Sequence, residues 1–273
     1  MSIDELSLVS LKVKCYFDDQ YLSCASGFVV KNIEDTPFLI TNWHVVAGRH
    51  ADTNKPLDKK NSGIPNNIRI RHHTDQLGQT EVRKETLLTS DGSRRWLEHS
   101  SGSKVDVVAL PLENIENIKL YPLDLSLIDT DIIPRPGMPV FIIGFPFGKS
   151  AGECFPIWKT GHVASDPDLD IDSLPCFLVD ATARSGMSGG PVILRLYGPY
   201  ETSTGYSMTI SYPTTKFLGI YSGRIHPKSD LCEDPTRGIR VDDGRILPQS
   251  ELGRIWKPSV LSSILTKKFD TQT

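Results

Sequence analysis

The 273-residue sequence lacks any apolar run close to the roughly 20 residues that a membrane-spanning helix requires. Its first residues are acidic and lack the basic start and apolar core of a secretion signal, so we expect no leader and a cytoplasmic location. An excess of positive charge is also missing, because the formal net charge is −3 and the pI is about 6.2. This balance gives no reason to expect nucleic acids or membranes as partners.

Cysteine is scarce, and no metal-type spacing is present. The five cysteines are odd in number and scattered, which favours reduced thiols over a disulfide framework. Cys15 and Cys24 could face each other across a hairpin, although a plain buried pair is the simpler interpretation. The adjacent His72 and His73 suggest a metal site, but neighbouring residues of a strand point to opposite faces. We therefore expect neither a metal nor another cofactor.

Short alternating segments with 21 glycines and 19 prolines dominate the chain, which is typical of an all-β protein with one large domain or two barrels. Helical spacing of apolar residues occurs near the C-terminal end, at 258–268. Two polar stretches, 197–215 and 223–249, are predicted to be insertions between the last strands. The predicted strands cover residues 7–17, 22–31, 38–41, 67–72, 80–98, 105–112, 140–144, 154–163, 176–180, 191–196, 217–222 and 252–256.

One glycine-rich stretch, residues 180–192, carries a candidate nucleophile. Ser188 has Gly186 two residues before it and Gly189 and Gly190 directly after it. Glycines allow positive φ angles and close backbone approach, so the amides of Gly186 and Ser188 can be aimed at one point. Two convergent N–H donors are what the oxyanion of an acyl-transfer reaction needs. A plain glycine-rich turn is the alternative interpretation.

Two upstream residues complete a candidate catalytic constellation. A serine hydroxyl needs a base to take its proton, and that base needs a third group to orient it. His44 follows an apolar strand, and Asp106 lies within the apolar run 105–112. Each residue alone is usually structural, but the order His44, Asp106, Ser188 in apolar settings predicts a catalytic triad.

These motifs resemble those of chymotrypsin-fold serine proteases, and more closely the HtrA (Deg)-type trypsin-like peptidases of bacteria. The resemblance extends from about residue 27 to residue 265, with insertions. It implies two six-stranded antiparallel β-barrels, about 1–115 and 116–257, and a short C-terminal helix at 258–268. It also implies a serine endopeptidase that acts on protein or peptide substrates, without the C-terminal PDZ domain that HtrA-type proteins usually carry. The similar segments are 41–46, 106–110, 143–148, 160–165, 180–181 and 217–222.

The resemblance further implies a primary specificity pocket with Thr182 at its base. Ser222, Gly223 and Arg224 would form one wall, and the segment 252–254, ending in Arg254, the other. Thr182 has no negative charge, so a preference for lysine or arginine lacks an anchor. If both arginines point away, a small or medium apolar residue is expected before the cut. If either turns inward, an acidic residue is expected instead.

Other interpretations stay open. Gly186–Gly190 also fits the Gly-x-Ser-x-Gly pattern of α/β-hydrolases, although that fold needs a strand–helix elbow and a later histidine, and only His226 follows. A catalytically silent protease-fold scaffold and an esterase on the same triad are further alternatives. Met187 stands where trypsin-like zymogens carry an aspartate, so activation should not require a cut at the N-terminus. Any control of activity is expected to come from the loops 169–174, 197–215 and 223–249, through ordering of the oxyanion site.

Overall fold

The first half of the chain forms a seven-stranded antiparallel sheet. The computed structural model describes residues 3–58, 63–225, 238–240, 246–248 and 251–266. The hydrogen-bonded order of the strands is β5-β4-β1-β2-β3-β7-β6. Their bounds are β1 Ser10–Phe17, β2 Gln20–Lys31, β3 Pro37–Thr41, β4 Asn67–His73, β5 Thr80–Thr86, β6 Leu97–Glu98 and β7 Val108–Pro111.

The second half closes into a six-stranded barrel in the order β10-β15-β12-β11-β8-β9. Every strand pair in it is antiparallel. A separate pair, β13 (Gly238–Arg240) and β14 (Ile246–Pro248), is also antiparallel. The barrel strands are β8 Pro139–Gly144, β9 Ile157–Val163, β10 Cys176–Asp180, β11 Pro191–Thr202, β12 Gly205–Arg224 and β15 Leu252–Trp256.

Three short helices complete the regular structure in the described part of the chain: α1 Leu6–Val9, α2 Trp43–Ala47 and α3 Ser259–Leu265. Single 3₁₀ turns cover Gly102–Lys104, Leu125–Ile128 and Pro146–Gly148. α3 buries Val260, Leu261 and Ile264 in a core cluster that contains residues of both halves of the chain. The hydrophobic effect therefore holds the two halves and α3 together as one packed unit.

The predicted all-β class and the C-terminal helix are confirmed. The first sheet differs from the expected six-stranded barrel, because the two-residue strand β6 adds a seventh strand and no ladder joins β6 to β5. The predicted insertion 197–215 is an extension of the β11–β12 hairpin, paired as far as Thr202 and Gly205. Most of the predicted insertion 223–249, including His226, lies outside the described residues, as do Lys267 and Lys268 of the predicted helix.

The structure also bears on two alternatives. Ser188 lies in a turn between β10 and β11, not at a strand–helix elbow, so the α/β-hydrolase interpretation is wrong. Cys15 pairs with Ser23, and Lys14 pairs with Cys24, so the two cysteines do not face each other directly. The four cysteines in the described part of the chain are free thiols. None of the helices in that part is long and apolar enough to cross a membrane.

Candidate active site

His44 and Asp106 are held together at the edge of the first sheet. β3 delivers His44 to the first turn of α2, and Asp106 lies two residues before β7, the strand that pairs with β3. The His44 Nδ1 atom is 2.7 Å from Asp106 Oδ2, and the His44 backbone N–H donates to Asp106 Oδ1 at 2.8 Å. Asn42 Nδ2 donates to the Asp106 carbonyl at 2.6 Å. The carboxylate is therefore fixed by backbone and side chain together.

The environment of His44 acts on its basicity in two opposing ways. Burial lowers the pKa of His44. The negative charge of Asp106 and the hydrogen bond to its carboxylate together raise this pKa by more, so the net pKa lies above the ordinary 6.5. The Asp106 side chain is only 4% exposed, which weakens solvent screening between the pair. The Asp106 carboxylate therefore favours the protonated, imidazolium form of His44.

β12 connects this pair to Ser188. The Ser222 hydroxyl donates to Asp106 Oδ2 at 2.6 Å, and the Ser188 hydroxyl donates to the Ser222 carbonyl at 3.2 Å. Among the described residues no hydrogen bond joins the Ser188 hydroxyl to the His44 ring. The four residues thus form one hydrogen-bonded group in which the proton of the Ser188 hydroxyl is directed to the backbone carbonyl of Ser222.

The turn that carries Ser188 leaves two amides available. Ser185 O accepts from Phe147 N at 2.6 Å, and Met187 O accepts from Gly190 N at 3.0 Å. A trans peptide points its N–H opposite to its C=O, so these bonds turn the Gly186 and Ser188 amides the other way. Neither amide donates to an acceptor within the described part of the chain. The pair can therefore act as donors to an oxyanion.

Gly186 and Gly189 are required by this turn. Their φ angles are +96° and +84°, in the region that side chains disfavour. A Cβ atom on Gly186 would stand 2.3 Å from the Phe145 carbonyl oxygen, and one on Gly189 would stand 2.3 Å from the Ser26 carbonyl oxygen. Any larger residue at either position would displace backbone, so the glycines follow from space as well as from φ.

The residues expected to form the specificity pocket differ in their exposure and in their contacts. Thr182 is exposed and lies two residues beyond the end of β10 at Asp180, between the buried Ala181 and Ala183. Gly223 pairs with Arg254 across β12 and β15, and a Cβ on it would meet open space. Arg224 is half-buried. Ser222 belongs to the Asp106 hydrogen-bond group described above.

Arg254 is directed towards the first half of the chain. Its Nη1 lies 3.7 Å from Asp52 Oδ1, and its guanidinium carbon lies 5.6 Å from the centre of the Trp256 ring. The side chain is 18% exposed. An ion pair of this length and the ring contact offset part of the guanidinium charge.

Two cavities lie beside the candidate site. One of about 430 Å³ has His44, Leu22, Leu57 and Pro65 in its wall. The other, of about 520 Å³, lies between Trp43, Asp52, Glu98 and Leu174.

His72 and His73 are both buried, and their ring nitrogens His72 Nδ1, His72 Nε2 and His73 Nδ1 have no hydrogen-bond partner. Burial, with smaller contributions from His73 and Arg83, lowers the pKa of His72 to about 4. Within the described residues no group of three or more His, Cys, Asp or Glu side chains could hold a metal ion. These histidines are therefore neutral parts of the first sheet.

Two residues of the site were missed in the sequence. Ser26 is fully buried in β2, and its hydroxyl donates to the Gly186 carbonyl at 2.7 Å. Asn42, the residue before α2, holds the Asp106 carbonyl. A small polar residue within the apolar run of β2 was the only signal for Ser26. No local pattern marks its partner, which lies 160 residues away.

Comparison with known proteins gives a family match over the site. Residues 25–198 match the model of the trypsin-like peptidase domain, a stretch that includes His44, Asp106 and Ser188. No curated protein matches the sequence significantly. The family match alone covers more than half of the chain.

Several solved structures resemble the chain at low identity. The inactive form of the Rv3671c protease is 18% identical, with 95% of this chain and 88% of that one covered and a TM-score of 0.45. A mutant inactive form of Rv3671c from M. tuberculosis is 17% identical, with 98% and 90% covered and a TM-score of 0.47. A serine endoprotease from Yersinia pestis is 12% identical, with 97% and 66% covered and a TM-score of 0.49.

Proposed function

Because the chain belongs to the trypsin-like peptidase domain family, we propose that it is a serine endopeptidase that hydrolyses peptide bonds of protein or peptide substrates. The observation that carries the proposal is the hydrogen-bonded group formed by His44, Asp106, Ser222 and Ser188. It joins a base, its orienting carboxylate and a candidate nucleophile, which is the minimum that acyl transfer from a serine needs.

In the proposed mechanism Ser188 attacks the carbonyl carbon of the scissile bond and His44 takes the hydroxyl proton. Asp106 accepts from His44 Nδ1–H, so Nε2 is the ring nitrogen with a lone pair for that proton. The imidazolium then returns the proton to the leaving amine, and an acyl-enzyme remains on Ser188. Water, activated by His44 in the same way, attacks the acyl carbon and releases the acid.

The amides of Gly186 and Ser188 are the proposed oxyanion donors. They gain most when the carbonyl oxygen becomes negative in the tetrahedral intermediate, so they stabilise the transition state more than the substrate. Enzyme variants that lack one such donor lose on the order of 10²- to 10³-fold in turnover. The free N–H groups of this turn support that assignment.

A second candidate function is a catalytically silent scaffold that binds peptides. The specific observation in its favour is the hydrogen bond from the Ser188 hydroxyl to Ser222, since a nucleophile must direct its proton to His44 instead. A 3.2 Å neutral bond is weak, and catalytic hydrogen bonds often tighten only when substrate binds. We therefore favour the enzyme, with an esterase on the same triad as a related outcome.

Replacement of Ser188 tests the proposal. We expect Ser188→Ala to fold normally and to lose on the order of 10⁶-fold in peptide cleavage, the scale of triad deletions in serine proteases. The control is Ser203→Ala, which changes an exposed serine at the tip of the β11–β12 hairpin. Parallel assays of an unfolded protein substrate and a small ester separate peptidase from esterase. Near-normal cleavage by Ser188→Ala would remove Ser188 from the mechanism.

For substrate preference we propose a small or medium apolar residue before the cut. The contacts of Arg254 with Asp52 and Trp256 support the interpretation in which this arginine points away from the substrate residue. The acidic alternative then depends on Arg224 alone. Thr182, although exposed, provides no carboxylate for lysine or arginine.

A peptide library cleaved by the wild type, Arg224→Ala and Arg254→Ala tests this preference. We expect all three proteins to prefer apolar residues before the cut, and the relative kcat/KM values for these residues to differ less than about 3-fold between the proteins. An acidic preference in the wild type that disappears in Arg224→Ala would establish the alternative. Efficient cleavage after lysine or arginine would contradict both interpretations.

A further inference from the structure

Four consecutive peptide groups of the nucleophile turn are each held by one hydrogen bond to the carbonyl oxygen. Ser185 O accepts from Phe147 N at 2.6 Å, and Met187 O accepts from Gly190 N at 3.0 Å. The other two carbonyls, those of Gly186 and Ser188, are both held by a single residue of the first sheet, Ser26. The Gly186 amide shares its peptide group with Ser185 O, and the Ser188 amide shares its own with Met187 O. Ser26 therefore holds the two peptide groups that alternate with these.

Ser26 binds the turn through its hydroxyl and its backbone. The hydroxyl donates to Gly186 O at 2.7 Å, and the backbone N–H donates to Ser188 O at 2.8 Å. Phe145 N donates to the same hydroxyl at 3.0 Å, which leaves the hydroxyl proton for Gly186. Thr41 Oγ1 donates to the Ser26 carbonyl at 2.9 Å. The hydroxyl and the backbone N–H of Ser26 thus bind the turn, and its carbonyl is held within the first sheet by Thr41.

The space around Ser26 is shaped for its hydroxyl. Ser26 has no exposed surface, and a Cβ atom on Gly144 would stand 2.5 Å from its Oγ. Because a buried carbonyl without a donor is unfavourable, Gly186 O would have to turn towards another donor if the hydroxyl were lost. The other bond of this peptide, from Met187 N to Arg184 O, is long at 3.2 Å, and glycine tolerates both signs of φ, so the peptide can tilt at Gly186 when the hydroxyl is lost.

We propose that Ser26 is a positioning residue that holds the Gly186–Met187 peptide, which lies between the two peptides that carry the oxyanion amides, so that these amides converge. This inference rests on the proposed function, and it adds that the first sheet sets the geometry of the oxyanion donors, which belong to the second half of the chain. Ser26 does not touch the reacting atoms. Its effect is on the transition state, where the oxyanion needs both donors, and not on binding of the substrate.

Ser10 provides a matched control. It is also a fully buried serine of the first sheet, and its hydroxyl donates to the Ile143 carbonyl of β8 at 2.9 Å. Ser10→Ala and Ser26→Ala therefore each remove a buried hydrogen bond between the two halves of the chain. Only Ser26 contacts the turn that carries Gly186 and Ser188.

The test compares kcat, KM and inhibition by a peptide aldehyde, which forms a tetrahedral adduct on serine, in the wild type, Ser26→Ala and Ser10→Ala. We expect Ser26→Ala to lower kcat by about 10²-fold and to weaken aldehyde inhibition by a similar factor, with KM changed less than about 3-fold. Ser10→Ala should keep wild-type kcat and aldehyde inhibition despite a lower thermal midpoint. Ser26→Cys, which retains a weak donor, should recover part of the loss.

Several outcomes would overturn the inference. Wild-type kcat in Ser26→Ala, or equal losses in Ser10→Ala and Ser26→Ala, would assign Ser26 a purely structural role. If Ser26→Ala does not fold, wild-type kcat and aldehyde inhibition in Ser26→Cys would have the same meaning. An inactive wild type would contradict the proposed function itself, whereas an active wild type and Ser10→Ala with an unaffected Ser26→Ala would contradict only this inference.

Discussion

At the scale of single residues, the central feature is the balance of forces on His44. Burial disfavours its protonated form, while Asp106 favours it through charge and a hydrogen bond, and the net effect raises the pKa of His44 above 6.5. In the proposed mechanism, His44 must be neutral to accept the Ser188 proton. Activity should therefore be lost as the pH falls through a value above 6.5, and it should be retained at higher pH.

Replacement of Asp106 tests this balance. In Asp106→Asn the charge is removed and the burial stays, so we expect the pKa of His44 to fall below 6.5 and turnover to fall by about 10⁴-fold. NMR titration of the His44 ring measures the first change, and peptide cleavage the second. Asp75→Asn alters an exposed carboxylate and should change neither. An unchanged His44 titration in Asp106→Asn would contradict the account.

The residues that the sequence did and did not predict differ in a physical way. His44, Asp106 and Ser188 each adjoin a short apolar or glycine-rich motif, so local sequence marks them, and the first two prove to be in contact. Ser26 and Asn42 act through hydrogen bonds to backbone carbonyls 160 and 64 residues away. Such contacts depend on how the two halves pack, which no local pattern encodes.

At the scale of elements, β12 connects Asp106 to Ser188, the proposed nucleophile. Ser222 donates its hydroxyl to Asp106 and accepts the Ser188 hydroxyl at its carbonyl. Its neighbour Tyr221 accepts from Gly189 N at 2.8 Å, so the strand also fixes the turn after the nucleophile. One strand thus sets the relative position of the two halves of the site.

Ser222→Ala separates these contributions, because it removes the hydroxyl and keeps the carbonyl. A hydrogen bond to a charged group contributes about 1.5–3 kcal/mol, so we expect kcat/KM to fall about 10- to 100-fold. Ser207→Ala, an exposed serine on the same strand, is the control. Wild-type kcat/KM in Ser222→Ala would mean that β12 does not support Asp106.

The individual strands were easier to predict from the sequence than the sheets and hairpins that they form. Alternation of apolar and polar residues, as in Ile68 and Ile70 against Arg69 and Arg71, locates strands because the side-chain period of a strand is two. The seventh strand, β6, has only two residues, too few for any alternation to appear. Likewise, the 197–215 stretch exposes apolar as well as polar side chains, among them Tyr197, Tyr206 and Tyr212, so its pairing as a hairpin extension depends on register and not on hydrophobic pattern.

At the scale of the whole molecule, the site forms where the two halves of the chain meet. The shared core includes Phe28 and Ile40 of the first sheet with Ile193 and Phe217 of the second barrel. Asp4, near the start of the chain, pairs with Arg195 of β11 through two hydrogen bonds at 2.5 and 3.1 Å. The amino-terminal segment is therefore bound to the outside of the barrel.

This arrangement leaves no evident role for a newly cut amino terminus. Met187, the residue before Ser188, is fully buried in the core of the second barrel and has no charge for an ammonium group to pair with. Gly186 already has a positive φ, and its amide is available in the uncut chain. We therefore expect the uncut protein to be competent for acylation.

The most direct measurement is mass spectrometry of the uncut protein after reaction with a fluorophosphonate probe, with Ser188→Ala as control. The account predicts one covalent adduct, located on Ser188, on molecules whose amino terminus is intact, and no adduct in the control. Adduct formation only after the amino terminus is clipped would contradict the activation argument. The absence of any adduct on Ser188, cut or uncut, would contradict the central claim that this chain is a serine peptidase.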